Sequence, residues 1–387
     1  METKKQLYPL KFIPIPSLKP WGGDSLIKSL GKSFVETDDE GNEHKLSAKD
    51  LIGESIELAD TGLIESVVEG GWLAGNTVEE LMETYIDRIV GEDVYNWYGL
   101  QFPVMVKFMD LKGMSSLKVN PDDEIAEERY DALGNAKLWY VMDAQPDAKV
   151  YLGFTRELSA QEFYERCLNG TVDEVLNVIN PKKGDTIYIA PGTVYAAGDG
   201  LLVAEIQEAS DMSFRLYDWG RESDPATVRQ MHLEEAIDIV NYSPATASRW
   251  RRGPLWNKAE GDLPVVENVV SVPEFTVNLI RLKEPAKAST SKSGSFLVYV
   301  CVDGQVSIQV PSQDGKNTDS TVLSKGEVVL VPADMPDYVL VPREWNTMIL
   351  EATVEKRTDV DQYINPDTEA YLEGEDYEGL ESGELLN

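Results

Sequence analysis

Residues 184–221, GDTIYIAPGTVYAAGDGLLVAEIQEASDMSFRLYDWGR, decide the fold of this chain. Apolar and polar residues alternate from Ile187 to Ile189, and Pro191 follows, which predicts a strand that ends in a tight turn. Two further strands are predicted downstream, through 201–205 and 214–217. Short antiparallel strands joined by glycine-rich turns are typical of a small barrel or jelly roll. The stretch therefore predicts a mainly β protein.

The same order of glycine, strand and proline recurs later in the chain, within a second alternating block at about 266–355. Aligning Gly326 with Gly184 brings the two patterns into register and places Asp337 at the position of Tyr195. A lone carboxylate at that position is interpreted as a solvated loop residue. The repetition predicts a second, smaller barrel.

Helix signals interrupt the first barrel. Thr77-x-x-Glu80 and Ser159-x-x-Glu162 are capping boxes that precede apolar residues at helical spacing. The predicted organisation is a barrel domain at 1–242 with helical insertions at about 75–98 and 158–180, a linker at 243–265, a second barrel at 266–357 and an acidic tail at 358–387.

Three local predictions accompany this organisation. Alternation at 8–12 predicts a short strand, and Pro14 and Pro16 indicate that it either lies at the edge of a sheet or ends there, because proline cannot donate to a ladder. Further helices are predicted through 172–176 and 231–236.

Composition limits the classes of function. The chain has 35 basic and 68 acidic residues and a formal charge of −33, which argues against nucleic-acid binding and against docking on anionic membranes. An anionic ligand would need a local basic pocket. Cys167 and Cys301 lie far apart, so neither a disulfide framework nor a thiolate metal site is expected. The sequence shows no signal-peptide or membrane-span pattern, which predicts a cytoplasmic protein.

The order of motifs resembles a known family. G-D-x-x-Y-I-x-P-G-T-V-x-A-x-G at 184–198 is similar to the second signature of cupin barrels. Its continuation, E-x-Q-x-x-S-D-x-x-x-R-L-Y-D at 205–218, resembles the type I mannose-6-phosphate isomerases, as do Trp21-Gly22-Gly23 and the Gly-Glu pair at 53–54. The resemblance covers roughly 8–240. It implies two cupin-like jelly-roll barrels with a helical layer, and an enzyme that interconverts mannose 6-phosphate and fructose 6-phosphate.

The resemblance also implies a zinc site, from which this sequence departs. Family members hold zinc with Gln and His of S-x-Q-x-H-P, Glu of K-x-E-x-W-Y and a His after G-T-V. The corresponding places hold Lys118, Asn120, Lys137 and Tyr195. A protonated lysine has no lone pair with which to bind a cation. We therefore expect no zinc cofactor here, although the family uses one.

Other site residues follow from the same resemblance. Arg215 matches a family arginine placed beside the substrate, and Asn135 replaces a family lysine that is a candidate for proton transfer. Lys137 lies two residues further on and therefore on the same face of a strand. The tentative catalytic residues are Arg215, Lys137 and Glu205, and the candidate binding residues are Lys118, Asn120, Tyr195, Asn135 and Trp21.

Three functions remain open on the sequence alone, so enzymatic activity is left undecided. The first is a non-catalytic or weakly active relative that binds a sugar or sugar phosphate on a cationic floor of Lys118, Lys137 and Arg215. The second is a metal-independent aldose–ketose isomerase in which a lysine polarises the carbonyl and Glu205 moves the proton. The third uses a neutral lysine for Schiff-base chemistry.

Structural roles are open as well. The two lysines can pair with Glu205 or Glu208 in a filled barrel, and Tyr195 can fill the space left by metal and histidine. We favour the first function, because loss of zinc removes transition-state stabilisation that a single ammonium seldom replaces.

Overall fold

The computed structural model describes residues 4–37, 41–223, 225, 228–245, 250–251 and 265–356. The strands are β1 (Ile15–Gly23), β2 (Val35–Thr37), β3 (Glu43–Lys45), β4 (Ile52–Leu58), β5 (Val104–Leu111), β6 (Leu117–Val119), β7 (Lys137–Ala144), β8 (Lys149–Phe154), β9 (Leu176–Ile179), β10 (Thr186–Ile189), β11 (Tyr195–Gly198), β12 (Leu201–Glu208), β13 (Phe214–Tyr217), β14 (Trp250–Arg251), β15 (Val265–Ser271), β16 (Thr276–Leu282), β17 (Ala286–Ala288), β18 (Leu297–Asp303), β19 (Gln305–Pro311), β20 (Thr318–Ser324), β21 (Val328–Val331), β22 (Tyr338–Pro342) and β23 (Thr347–Thr353). The helices are α1 (Ser25–Lys28), α2 (Val78–Tyr85), α3 (Asp87–Val90), α4 (Glu92–Tyr98), α5 (Asp123–Tyr130) and α6 (Ala160–Asn169).

Each barrel consists of two antiparallel sheets. The first combines a seven-stranded sheet of order β1-β4-β5-β12-β7-β10-β14 with a five-stranded sheet of order β13-β6-β11-β8-β9. The second combines sheets of order β15-β16-β23-β18-β21 and β17-β22-β19-β20. The predicted fold class, mainly β with two cupin-like barrels and helices, is confirmed. None of the helices in the described ranges has the length and apolar character needed to cross a bilayer.

The two barrels repeat one topology. The strands β5-β12-β7-β10 of the first correspond in order to β16-β23-β18-β21 of the second. In the first barrel the rings of Trp139 and Tyr195 meet edge to face at 5.8 Å, and in the second those of Tyr299 and Tyr338 do so at 6.4 Å. The counterpart of Tyr195 is therefore Tyr338. The prediction of Asp337 was wrong by one residue, because residues 332–337 between β21 and β22 are one more than residues 190–194 between β10 and β11.

The N-terminal segment differs from its prediction. Residues 8–12 form only isolated bridges, Leu10 with Leu330 and Phe12 with Val68, and the strand β1 begins at Ile15 and includes Pro16. Proline is tolerated because β1 is an edge strand that pairs only with β4. The bridge from Leu10 to Leu330 ties this segment to the second barrel.

The helical insertions lie in two different places. Thr77 and Ser159 both act as N-caps and accept 3.1 Å hydrogen bonds from the backbone of the glutamate three residues later. The reciprocal bond that completes a capping box is present for Glu80, whereas the side chain of Glu162 pairs with Arg156 and Arg166 instead. Around α3, the carbonyl of Val90 accepts from Phe296, so the first insertion packs where the two barrels meet. The helix α6 instead covers the five-stranded sheet of the first barrel.

Two predicted helices are wrong. Residues 172–175 form a single 3-10 turn, and Leu176 already begins β9. Residues 231–236 form turns, because the backbone N–H of His232 donates to the carbonyl of Arg215 in β13 and holds the segment against that strand. Most of the predicted linker and the whole acidic tail lie outside the described residues, so the domain boundaries stay predictions.

A close backbone approach explains the glycine at position 22. A Cβ atom there would lie 2.6 Å from the amide nitrogen of Gly53 and 2.6 Å from the carbonyl oxygen of Leu51. We expect Gly22→Ala to lower the free energy of unfolding by about 2 kcal/mol, since backbone on both sides leaves little room for adjustment. Chemical denaturation measures this change. Gly70→Ala, where no atom lies within 4 Å of the added carbon, is the matched control and should leave stability nearly unchanged.

Candidate functional site

A cavity of 290 Å³ opens between the two sheets of the first barrel. Its walls come from both sheets, and it is unusually rich in ionisable groups. Those that line it are Lys19, Lys107, Lys118, Lys137, Glu54, Glu205 and Asp211. Trp21, Asn135, Trp139 and Tyr195 also line it.

Strand register explains how distant sequence positions meet here. On the larger sheet, Glu205 of β12 lies directly opposite Lys107 of β5 on one side and Trp139 of β7 on the other. On the smaller sheet, Tyr195 of β11 lies opposite Lys118 of β6. Because residues opposite each other on adjacent strands point to the same face, both rows are directed into the cavity.

Glu205 is the centre of the charge network. Its Oε1 lies 3.4 Å from Nζ of Lys107 and 3.7 Å from Nζ of Lys137, and its Oε2 accepts a 2.5 Å hydrogen bond from Nε1 of Trp139. Burial alone would raise the pKa of this carboxyl, but the two ammonium groups and the indole lower it below its usual value. Glu205 is therefore held as a carboxylate.

The neighbouring lysines are largely neutralised. Lys107 also lies 3.8 Å from Oδ1 of Asp211, and Lys137 donates to Oε1 of Gln207. At the rim, Lys19 pairs with Glu54 at 3.5 Å. Burial raises the pKa of Glu54, yet the field of Lys107, Lys19 and the other cavity lysines lowers it to about 2.

Lys118 differs from the other three lysines. Within the described part of the chain, its ammonium has no carboxylate at ion-pairing distance and no hydrogen-bond acceptor, whereas Lys19, Lys107 and Lys137 each have a partner. Burial, opposed by Glu54 and reinforced by the other lysines, lowers the pKa of Lys118 to about 8. The cavity thus presents one cation without a counter-charge.

A neutral hydrogen-bonded chain forms the adjoining wall. The hydroxyl of Tyr195 donates to Oδ1 of Asn120 at 3.1 Å, and Nδ2 of Asn120 donates to the carbonyl of Asn135 at 2.8 Å. Nδ2 of Asn135 donates to the carbonyl of Met212 at 2.9 Å, while its Oδ1 is buried without a partner in the structure as described. Burial raises the pKa of Tyr195, so its phenol stays protonated.

The structure brings most of the sequence-predicted site residues together. Lys118, Lys137, Tyr195, Asn135, Glu205 and Trp21 line the cavity. Asn120 lies directly behind Tyr195.

Arg215 is the exception. It lies opposite Lys118 across β13 and β6, but it is not among the residues that line the cavity. Its Nε lies 3.3 Å from Oγ of Ser116, and its Nη1 donates to the carbonyl of Gln230.

Sequence reasoning missed part of the site. Lys19, Lys107, Glu54 and Asp211 were not among the residues predicted for the site, although all four line the cavity. A usable signal was present for Lys107 and Glu54, since each is a charged residue within a strand that is otherwise mostly apolar. A charge in a buried strand requires an opposite charge close by.

The chain is similar to several known proteins over most of its length. No protein-family model matches the chain. The mannose-6-phosphate isomerase ManA of Bacillus subtilis is 30% identical over 298 residues, which are 77% of this chain and 86% of that protein. The mannose-6-phosphate isomerase of Streptococcus mutans is 29% identical over 315 residues, 81% of this chain and 89% of the relative. The crystal structure of the mannose 6-phosphate isomerase from Bacillus subtilis matches with a TM-score of 0.73 at 25% identity, covering 90% of this chain and all of that one.

Proposed function

The chain belongs to the mannose-6-phosphate isomerase family, and from that membership we propose that it binds an anionic sugar, such as a sugar phosphate, without zinc and with little or no isomerase activity. The observation that carries this proposal is the convergence of the residues that replace the family's zinc ligands: Lys118, Lys137 and Tyr195 line one cavity, and Asn120 lies directly behind Tyr195.

The donor set at these positions does not fit a zinc ion. Lys118 and Lys137 are ammonium groups, which repel a dication, and the phenol of Tyr195 is neutral. The remaining potential zinc ligand, Oδ1 of Asn120, already accepts a hydrogen bond from the hydroxyl of Tyr195. Zinc sites use neutral imidazole, thiolate and carboxylate ligands. Among the residues that the structure describes, no group of three or more His, Cys, Asp or Glu side chains could hold a metal ion.

The charge balance of the cavity favours an anion. Four lysines face three carboxylates, so one positive charge is in excess when all are ionised. A buried cation without a counter-charge is costly, and a phosphate or carboxylate placed against Lys118 would relieve that cost. Such an anion would form charge-assisted hydrogen bonds with the ammonium. The net positive charge of the cavity is opposite in sign to the formal charge of the whole chain, which is −33.

Weak isomerase activity follows from the state of Glu205. A general base works best when its pKa lies near the operating pH. Lys107 and Lys137 lower the pKa of Glu205, and its Oε2 already accepts from Trp139, so it is poorly suited to remove a proton from a sugar carbon. Asn135, in place of the family's lysine, offers no titratable group. The metal-independent isomerase therefore has less support than a binding role.

The experiment combines metal analysis with an activity assay. The purified protein should contain far less than one zinc per chain, and its conversion of mannose 6-phosphate should be at least about a thousandfold slower than that of Bacillus subtilis ManA assayed beside it. Stoichiometric zinc with turnover that chelation abolishes would refute the proposal. Fast turnover by metal-free protein would instead support the lysine-based isomerase.

Binding of a sugar phosphate should depend on pH. Burial lowers the pKa of Lys118 to about 8 and that of Lys137 to the same value, so both charges are lost as the pH rises through about 8, while a phosphate monoester is a dianion above about pH 6. We expect the affinity for mannose 6-phosphate to fall about tenfold between about pH 7 and pH 9. Titration calorimetry across this range measures the effect. In Lys118→Arg, which stays charged, the decrease should be smaller; an affinity that rises towards pH 9 would contradict the assignment.

A further inference from the structure

The second barrel repeats the central row of the first, that is, three side chains opposite one another on adjacent strands of the larger sheet. In the first barrel Glu205 lies between Lys107 and Trp139 on adjacent strands, and in the second Glu351 lies between Asn278 and Tyr299 on the corresponding strands. Both glutamates stand on the middle strand of the larger sheet, β12 or β23. The repeat therefore places a carboxylate at the same point in each barrel interior.

Neighbouring side chains hold Glu351 in place. The hydroxyl of Tyr299 donates to Oε2 of Glu351 at 3.0 Å, and Nδ2 of Asn278 donates to Oε1 at 3.3 Å. The hydroxyl of Tyr338 lies 2.8 Å from that of Tyr299. Because the proton of Tyr299 is directed to Glu351, Tyr338 must be the donor in this pair. Each carboxylate oxygen keeps a second lone pair for another donor.

A cavity of 420 Å³ opens over this row. Glu351, Asn278 and Tyr299 are among the polar residues that line it, and Ile280 and Leu297 are among the apolar ones. Small-molecule sites in proteins are commonly concave, largely apolar and equipped with a few fixed polar groups, with volumes from about 300 Å³ upwards. The cavity has a volume in this range and carries fixed polar groups, and about half of its lining is apolar.

The two cavities differ in charge. Strand register places Asn278 at the position of Lys107, Ala288 at that of Lys118 and Leu297 at that of Lys137. Three of the four lysines of the first cavity are thus absent from the corresponding positions of the second. The lysines that do line it, Lys287 and Lys292, have exposed side chains at its rim.

We propose that the second barrel binds a neutral monosaccharide or a polyol of similar size. Hydroxyl groups of the ligand donate to the free lone pairs of Glu351, and its carbon-bound face packs on Ile280 and Leu297. This site is separate from the anion-binding cavity of the first barrel and does not depend on the function proposed for it.

D-mannose is the probe, titrated into the full-length protein and followed by saturation-transfer NMR and calorimetry. The wild type should show saturable binding in the millimolar range, and Glu351→Gln should bind at least about tenfold more weakly. Asp319→Asn changes an exposed acid on β20 of the same barrel and is the matched control, with affinity within about twofold of the wild type. Ala288→Trp, which fills the cavity without removing a buried polar group, should also abolish binding.

Several outcomes would overturn the proposal. Binding that does not saturate, or that Glu351→Gln and Ala288→Trp leave intact, excludes this site. A preference for mannose 6-phosphate that Lys292→Ala removes would show an anion site at the rim instead. Thermal unfolding verifies that each variant is folded, and if Glu351→Gln is not, Ala288→Trp decides. Since the first barrel is unchanged in these variants, their titration with mannose 6-phosphate separates failure here from failure of the proposed function.

Discussion

Glu205→Gln is expected to lower the free energy of unfolding by about 3 kcal/mol or more, one of the largest effects of a single side chain in the first barrel. The substitution preserves volume but removes the negative charge that lies 3.4 Å from Lys107 and 3.7 Å from Lys137. Both ammonium groups are buried, so they would be left with too little counter-charge. Denaturation in guanidinium chloride, monitored by tryptophan fluorescence, measures the change.

Two variants make this result specific. Glu128→Gln, an exposed position on α5, is the matched control and should stay within about 0.5 kcal/mol of the wild type. Adding Lys137→Met to Glu205→Gln removes one of the uncompensated cations and should recover part of the lost stability. If Glu205→Gln is as stable as the control, the buried charge network does not exist as described.

The second large effect is the recovery of metal binding. Lys118→Gln, Asn120→His, Lys137→Glu and Tyr195→His together would install the four ligand types that the family resemblance implies. We expect this variant to bind zinc with a dissociation constant of about 1 µM or tighter, whereas the wild type should bind none at the cavity. Equilibrium dialysis followed by elemental analysis measures the stoichiometry.

The control variant carries three of the four substitutions and leaves Lys137 unchanged. The variant with Lys118→Gln, Asn120→His and Tyr195→His retains Lys137, whose ammonium would remain beside the intended ion, and it should bind zinc far more weakly than the fourfold variant. Equal zinc binding by both would mean that Lys137 does not exclude the metal. Failure of both, in folded protein, would mean that the four positions do not form a common site.

Much of the fold could be predicted because it depends on local patterns. Alternating strands and glycine-rich turns gave the barrels, and capping boxes gave α2 and α6. The errors arise where contacts between residues distant in sequence determine the local structure. The connection 332–337 has one residue more than its counterpart, which no alignment without a gap can reveal. Residues 231–236 are held on β13 by the hydrogen bond of His232 rather than released into a helix.

The site was predicted less completely, for a related reason. The family resemblance placed Lys118 and Lys137 in a common site, and strand alternation put Lys137 on the same face as Asn135. The structural alternative in which Lys137 pairs with Glu205 is also present, at 3.7 Å. Glu208 instead accepts from the backbone of Ala136. The direction taken by Arg215 depends on Ser116 and Gln230, which are distant in sequence, so spacing alone could not determine it.

Binding of a sugar phosphate by Lys118 without metal is tested most directly by calorimetry. Chelator-treated protein is titrated with mannose 6-phosphate, and the wild type is compared with Lys118→Met. We expect the metal-free wild type to bind the sugar phosphate, and loss of the unpaired ammonium to weaken binding at least about tenfold. Two results would contradict the claim that the ammonium of Lys118, rather than a zinc ion, binds the anionic sugar in this cavity. One is wild-type protein that binds only after zinc is added, and the other is a Lys118→Met variant with undiminished affinity.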